Sequence, residues 1–269
     1  MIKKIIISIV MLALILTGCS ISEDEVYNGM EVTIFNTGKS DCILISIEGR
    51  YIMIDTSLDK YGEEICKKIK GINNLDYLIL THMDKDHIGG ASDIINNIKI
   101  DNIIQADYSK ESEEYTKLIK AEENNNSNVE LLLNKKTLFI GETEINIIPG
   151  EKRYYEDSNN YSIMVTIKYG NTSFLFAGDA EEERLQEFLD ENMDKYDFIK
   201  IPHHGEYNKL SGTLIKSIEP KYGVITCSKS NMPDDKLLQV LSNNNVEPYL
   251  TVDGEIKVYS NGETIEIKQ

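Results

Sequence analysis

Two of the chain's four histidines and two aspartates fall within six consecutive positions, His82-Met83-Asp84-Lys85-Asp86-His87, and Gly89-Gly90 follow closely. Imidazole nitrogen and carboxylate oxygen are the donors that Zn²⁺, Mn²⁺ or Fe²⁺ accept, and glycine lets a backbone turn sharply enough for such donors to converge. The other two histidines are adjacent, in Ile201-Pro202-His203-His204-Gly205. Between the pairs, the apolar run at 173–177 ends at Gly178-Asp179. All four histidines and a carboxylate therefore stand at the ends of strand-like runs with glycine nearby, as a convergent metal site needs.

Something must hold these ends together. Runs of strand length rich in Ile, Val, Tyr and Phe occur at 32–35, 43–47, 51–54, 77–80, 163–169, 173–177 and 198–201. Helical periods alternate with them at 62–70, 91–98, 112–123, 181–190 and 234–242, the last opened by Pro233. Gly170-Asn171, Asp253-Gly254 and Asn261-Gly262 each read as a tight turn closing a hairpin. The pattern is mixed α/β, and the His/Asp stretch is expected on a strand-to-helix loop with the helix starting near Gly89-Gly90. Gly38-Lys39-Ser40 is not a phosphate-binding P-loop, because Thr33 stands where that motif needs glycine and a strand follows.

The motif His82-x-Asp84-x-Asp86-His87-Ile-Gly-Gly resembles the first motif of the metallo-β-lactamase fold hydrolases, with Asp84 in place of a histidine. This variant is similar to the extracytoplasmic hydrolase domain of ComEC-type competence proteins and their freestanding relatives. Residues 35–45, the Ile54-Asp55-Thr56 strand end, 159–165, 174–179 and 201–205 resemble further motifs of that family, so the likeness spans most of 31–265. The resemblance implies an α/β fold, an αββα sandwich, and one or two divalent ions, Zn or Mn. It implies that His82 and Asp84 hold one ion, that Asp86 and His87 hold the other with either His203 or His204, and that Asp179 bridges them. Two ions about 3.5–4 Å apart would activate a bridging water and stabilise both attacking and leaving oxygens, with Asp86 and Asp179 as the catalytic carboxylates. Asp55 is a candidate to orient a metal-bound imidazole, and Asn159 or Asn160 to supply an oxygen or orient a water.

The chain also departs from the family. No histidine stands near Ile147-Ile148-Pro149-Gly150, where the first metal usually finds its third imidazole. A late histidine is missing around Asn231-Met232-Pro233, and Glu206 replaces a serine. The first metal position is therefore thin.

At the N-terminus, two lysines, an apolar run from Ile5 to Leu16 and Leu16-Thr17-Gly18-Cys19 read as an export signal, and the last four residues resemble a lipobox. The expected organisation is a lipoprotein signal peptide at 1–18, a lipidated Cys19 with a tether at 19–30, and a hydrolase domain at 31–269 on the extracytoplasmic face of the cell membrane. Cys42, Cys66 and Cys227 are isolated and read as buried thiols rather than a disulfide framework. The formal net charge of −17 disfavours extended nucleic acid as a partner, although a bound cation reverses the field locally. The expected activity is hydrolysis of a phosphodiester, in nucleic acid, a nucleotide or an envelope phosphoester. The alternatives are hydrolysis of a carboxylic ester or lactam, and a non-catalytic metal-binding envelope protein.

Overall fold

The computed structural model describes residues 29–192 and 194–269. The expected signal peptide, the expected lipidation site Cys19 and nearly all of the expected tether lie outside the described residues.

Strands β1 (Met30–Ile34), β2 (Ile43–Ile47) and β3 (Arg50–Ile54) form an antiparallel meander. Strand β3 then pairs in parallel with β4 (Asn74–Leu80), which continues through β5 (Lys99–Ala106) and β6 (Asn128–Leu132). Right-handed parallel crossovers need helices, and α1 (Gly62–Lys68), α2 (Lys85–Ile88), α3 (Ala91–Asn97) and α4 (Glu113–Asn124) supply them. The second sheet starts with the antiparallel strands β7 (Lys136–Ile140), β8 (Thr143–Ile148), β9 (Met164–Tyr169) and β10 (Thr172–Phe176). It continues in parallel through β11 (Phe198–Lys200), β12 (Tyr222–Ile225) and β13 (Glu247–Leu250), with α5 (Glu182–Glu191), α6 (Ser211–Ile218) and α7 (Asp235–Asn243) between them. Finally β14 (Ile256–Ser260) and β15 (Ile265–Lys268) return to the first sheet, β14 pairing with β1.

The result is an eight-stranded and a seven-stranded sheet with helices against each, the expected αββα sandwich. One apolar cluster fills the space between the sheets and beneath α1, α3 and α4; a second lies beneath α5, α6 and α7. Strands buried on both faces, such as Leu78-Ile79-Leu80 and Phe174-Leu175-Phe176, read as continuous apolar runs because neither side meets water.

Two expectations fail. Asp253-Gly254 closes no hairpin: β13 and β14 belong to different sheets, and a short 3₁₀ turn at Thr251–Asp253 carries the chain between them. The second half of the metal motif is not an irregular loop either, since Asp86 and His87 lie on α2, with Asp84 at its N-terminal boundary. Cys42 and Cys227 are buried thiols, whereas Cys66 is partly exposed.

Candidate metal centre

Both sheets end their strands at the same edge. Asp55 follows β3, Thr81 and His82 follow β4, Asp179 follows β10 by the turn at Gly178, and His203 and His204 follow β11. The Ile163 N–H donates to the Thr81 carbonyl at 2.9 Å and ties the two edges. Gly178 has φ +55°, and a Cβ there would come within 3.0 Å of Ser162 Oγ and 3.2 Å of Thr81 Cβ. Only glycine turns the chain at this point without pushing the edges apart.

His82, His87 and His204 are fully buried, and each anchors its Nδ1. His87 Nδ1 donates to Asp55 Oδ2 at 2.7 Å. His82 Nδ1 lies 3.1 Å from Thr81 Oγ1, whose hydroxyl donates to Asp55 Oδ2 at 2.7 Å. His204 Nδ1 lies 2.8 Å from Thr226 Oγ1, which donates to Asp41 Oδ1 at 2.6 Å. A hydroxyl whose proton is committed to a carboxylate accepts from the ring, so each imidazole carries its proton on Nδ1 when neutral and presents the Nε2 lone pair to the cleft. Such buttressing fixes tautomer and ring angle in metal-binding histidines.

Among the described residues, the three Nε2 atoms and Asp179 Oδ1 have no hydrogen-bond partner although they are buried, a costly condition unless a ligand satisfies them. Asp86, His87, Asp179 and His204 bring one donor atom each within 4.8 Å of one another. His87 Nε2 and His204 Nε2 both stand 3.1 Å from Asp179 Oδ2, and His204 Nε2 is 3.5 Å from Asp86 Oδ2. Two imidazoles and two carboxylates converging without mutual hydrogen bonds suit a divalent cation.

The electrostatics follow from the same neighbours. Burial disfavours charge on Asp179, but His204, His87 and Lys200 hold its carboxyl well below the usual range. Burial likewise opposes charge on His87 and His204, yet Asp179 and the carboxylates behind them raise both. In the metal-free protein these rings attract protons, which a cation must displace. His82 differs: burial and then His87 push it down to about 3, leaving it neutral.

The remaining residues singled out in the sequence divide. Asp55 stands behind His87 and Thr81, its carboxylate fully buried. His203 does not face the converged donors; its Nδ1 is 2.7 Å from Glu181, and its Nε2 is 3.4 Å from Asn159 Nδ2. Both His203 and His204 occupy left-handed backbone, φ 46° and 51°, a conformation that costs non-glycine residues on the order of 1–2 kcal/mol each and turns the rings apart. Asn160 is buried and accepts from the Arg184 N–H at 3.1 Å, so it fixes the start of α5 rather than meeting the cleft. Among the described residues Asp84 belongs to no converged donor group, and it is paired with Lys110. Glu206 pairs with Lys39.

Sequence reasoning missed Asp41 and Lys200. The Lys200 ammonium, fully buried, pairs with Asp41, lies 3.6 Å from Asp179 Oδ1 and donates to the Gly178 carbonyl at 3.3 Å. A lone lysine in the apolar run Phe198-Ile199-Lys200-Ile201 was the available signal, since a strand buried on both faces takes a charge only with a partner. Tyr108 was missed as well: its hydroxyl accepts from the Met83 N–H at 2.6 Å and its ring stacks on Tyr161 at 4.0 Å, bracing the metal motif.

A sandwich of two mixed sheets with a His/Asp centre at one edge is the architecture of a metal-dependent hydrolase, and the chain belongs to the metallo-beta-lactamase superfamily, whose family model matches residues 36–229. Among curated proteins it is similar to ComE operon protein 3 of Bacillus subtilis (strain 168), 29% identical over 182 residues, covering 66% of this chain and 23% of that protein. Recombination protein 2 of Haemophilus influenzae is 24% identical over 250 residues, covering 89% and 30%. The chain thus spans less than a third of the length of these relatives. Among solved structures, the metallo-beta-lactamase fold protein YhfI from Bacillus subtilis superposes with TM-score 0.56 at 13% identity, over 89% of this chain and 100% of that one. A diphosphatase from the PhnP family gives 0.53 at 12%, over 86% and 97%. At these identities the solved structures speak for the fold.

Proposed function

We propose that this protein is a metal-dependent phosphodiesterase of the cell envelope, held at the extracytoplasmic face of the membrane by a lipid on Cys19. The observation that carries the reading is the set of buried, unpartnered Nε2 atoms of His82, His87 and His204 around Asp179, each ring locked from behind by its Nδ1. A divalent ion held there, Zn or Mn, would supply a water of lowered pKa and would offset the charge that develops on phosphoryl oxygens.

His87, His204, Asp179 and Asp86 would hold the ion. Asp55 and the Thr226–Asp41 pair keep the rings in register, and Lys200 compensates the buried Asp41 and Asp179 carboxylates. Asp86, at the mouth with its side chain 26% exposed, orients the attacking water. In the reaction the water oxygen bonds to phosphorus, the ester P–O bond breaks, and the leaving oxygen takes up a proton.

The substrate class rests on the affinity of such centres for phosphoryl oxygens, and on a fold neighbour described as a diphosphatase. The competence and recombination proteins among the relatives make nucleic acid one candidate. The net charge of −17 favours short or small phosphodiesters, nucleotides or envelope phosphoesters, over long polyanions. The test is a parallel assay of the metal-loaded protein on a chromogenic phosphodiester, a carboxylic ester and a lactam. Turnover of the phosphodiester alone is expected; turnover of the ester or lactam alone would overturn the substrate class, and turnover of none would leave a metal-binding role.

A further inference from the structure

The two halves of the motif meet different fates. Asp86 and His87 join a converged donor set, whereas His82 and Asp84 join none among the described residues. Every histidine is accounted for: three face the cleft, and His203 is turned to Glu181. A second ion would have to be built from His82, Asp84 and a share of Asp179, one short of the four donors that Zn²⁺ sites usually present.

That thin set is contested by a cation of the chain itself. The Lys110 ammonium is paired with Asp84 Oδ1 and lies 3.4 Å from Ser158 Oγ. The two side chains are 33% and 26% exposed, so the pair sits where the cleft opens to solvent. A tethered ammonium competes with a free ion at a high effective concentration, and three donors give the free ion little to set against it.

We propose that Lys110 takes the place of the second metal ion, so that the centre works with one tightly bound divalent ion and a lysine. The inference rests on the phosphodiesterase reading. At the open edge Lys110 offers its third N–H to a non-bridging phosphoryl oxygen, as lysine does when it binds phosphate as a point charge. Lys110 thereby becomes a specificity determinant: it favours a substrate whose anionic oxygen lies on the Asp84 side of the bound ion.

The test counts ions by elemental analysis after the full-length protein is equilibrated with Mn²⁺ or Zn²⁺ and passed through a desalting column, for wild type, Lys110→Met and Lys110→Arg. The wild type and Lys110→Arg should retain about one ion per chain. Lys110→Met frees Asp84 and should retain up to twofold more, while its KM for the chromogenic phosphodiester rises about tenfold or more, the loss expected for a hydrogen bond to a charged group. The side chain is partly exposed, so folding of the variants is not at stake. Two tightly held ions in the wild type, or no increase in Lys110→Met, overturns the proposal while leaving phosphodiester turnover untouched. No retained ion and no turnover in the wild type overturns the phosphodiesterase reading and this inference with it.

Discussion

Asp55→Asn is the sharpest perturbation of the centre, because it replaces one acceptor oxygen with an NH₂ donor and removes one buried charge while keeping the shape of the side chain. Asp55 is fully buried with φ 57°, a backbone conformation that asparagine tolerates at least as well. Its Oδ1 accepts the Thr81 N–H at 2.8 Å, while Oδ2 accepts from the Thr81 hydroxyl and from His87 Nδ1, both at 2.7 Å. If the new amide keeps its oxygen on the Thr81 N–H, its NH₂ faces His87 Nδ1–H, and two donors cannot share one contact. The ring must then move its proton to Nε2, losing the lone pair that faces the cation. If the amide turns over, the buried Thr81 N–H is left unpaired at a cost of about 1–3 kcal/mol. The first case should weaken metal binding about 10–100-fold, roughly 1.4–2.7 kcal/mol, the usual effect of losing such a support. Titration of the chelator-stripped variant with Zn²⁺ against a chromogenic chelator reads the affinity, and urea unfolding of the metal-free protein reads the stability. Unchanged values in both would refute the tautomer argument.

Three further outcomes follow from the same structure. Lys200→Met should destabilise the metal-free protein by about 3–5 kcal/mol in urea unfolding, since it leaves Asp41 buried without its cation, and adding Asp41→Asn should recover much of the loss; a cost below about 1 kcal/mol would contradict the pairing. Glu122, mostly buried on α4, has its carboxyl raised by burial from 4.5 to about 7. The folded chain keeps this proton where the unfolded chain releases it, so stability falls as pH rises from about 4.5 through 7. Discounted for partial exposure, the fall is about 1–2 kcal/mol; Glu122→Gln should abolish it in melting curves across that range, and an unaltered pH profile would rule it out. Cys19→Ala should shift the protein from membrane to soluble fractions on ultracentrifugation and remove incorporation of a labelled fatty acid; retention of both would exclude lipidation at this residue.

The fold was legible where a pattern had one physical cause. Runs such as Leu78-Ile79-Leu80 announce strands buried on both faces, and Gly170-Asn171 announces a two-residue hairpin. Asp253-Gly254 misled because the same residues suit any reversal, and only the pairing partners of β13 and β14 separate a hairpin from a crossing between sheets. The edge strands β6 and β7 place apolar residues, Leu131 and Phe139 among them, on their exposed side, so their sequence does not alternate between apolar and polar as their burial does. At the centre, His82, His87, Asp179 and the His203-His204 pair stood out because imidazole at strand ends beside glycine is scarce. What could not be read was orientation: the opposed turns of His203 and His204 depend on two left-handed residues in succession, and the capture of Asp84 by Lys110 joins positions 26 apart in sequence. Asp41 and Lys200 lay within segments noticed for other reasons, and their partnership exists only once the β1–β2 connection of the first sheet meets the end of β11 in the second.

The central claim is that the donors of Asp86, His87, Asp179 and His204 make one metal-dependent catalytic centre. Its most direct test is the rate of chromogenic phosphodiester hydrolysis by chelator-stripped protein as Mn²⁺ or Zn²⁺ is titrated back, with His204→Ala beside the wild type. The account predicts no turnover without metal, a rise that saturates with ion binding, and a loss of at least about a hundredfold in His204→Ala, a group at the centre itself rather than behind it. Turnover that survives stripping, or that is equal in His204→Ala and the wild type, would contradict it.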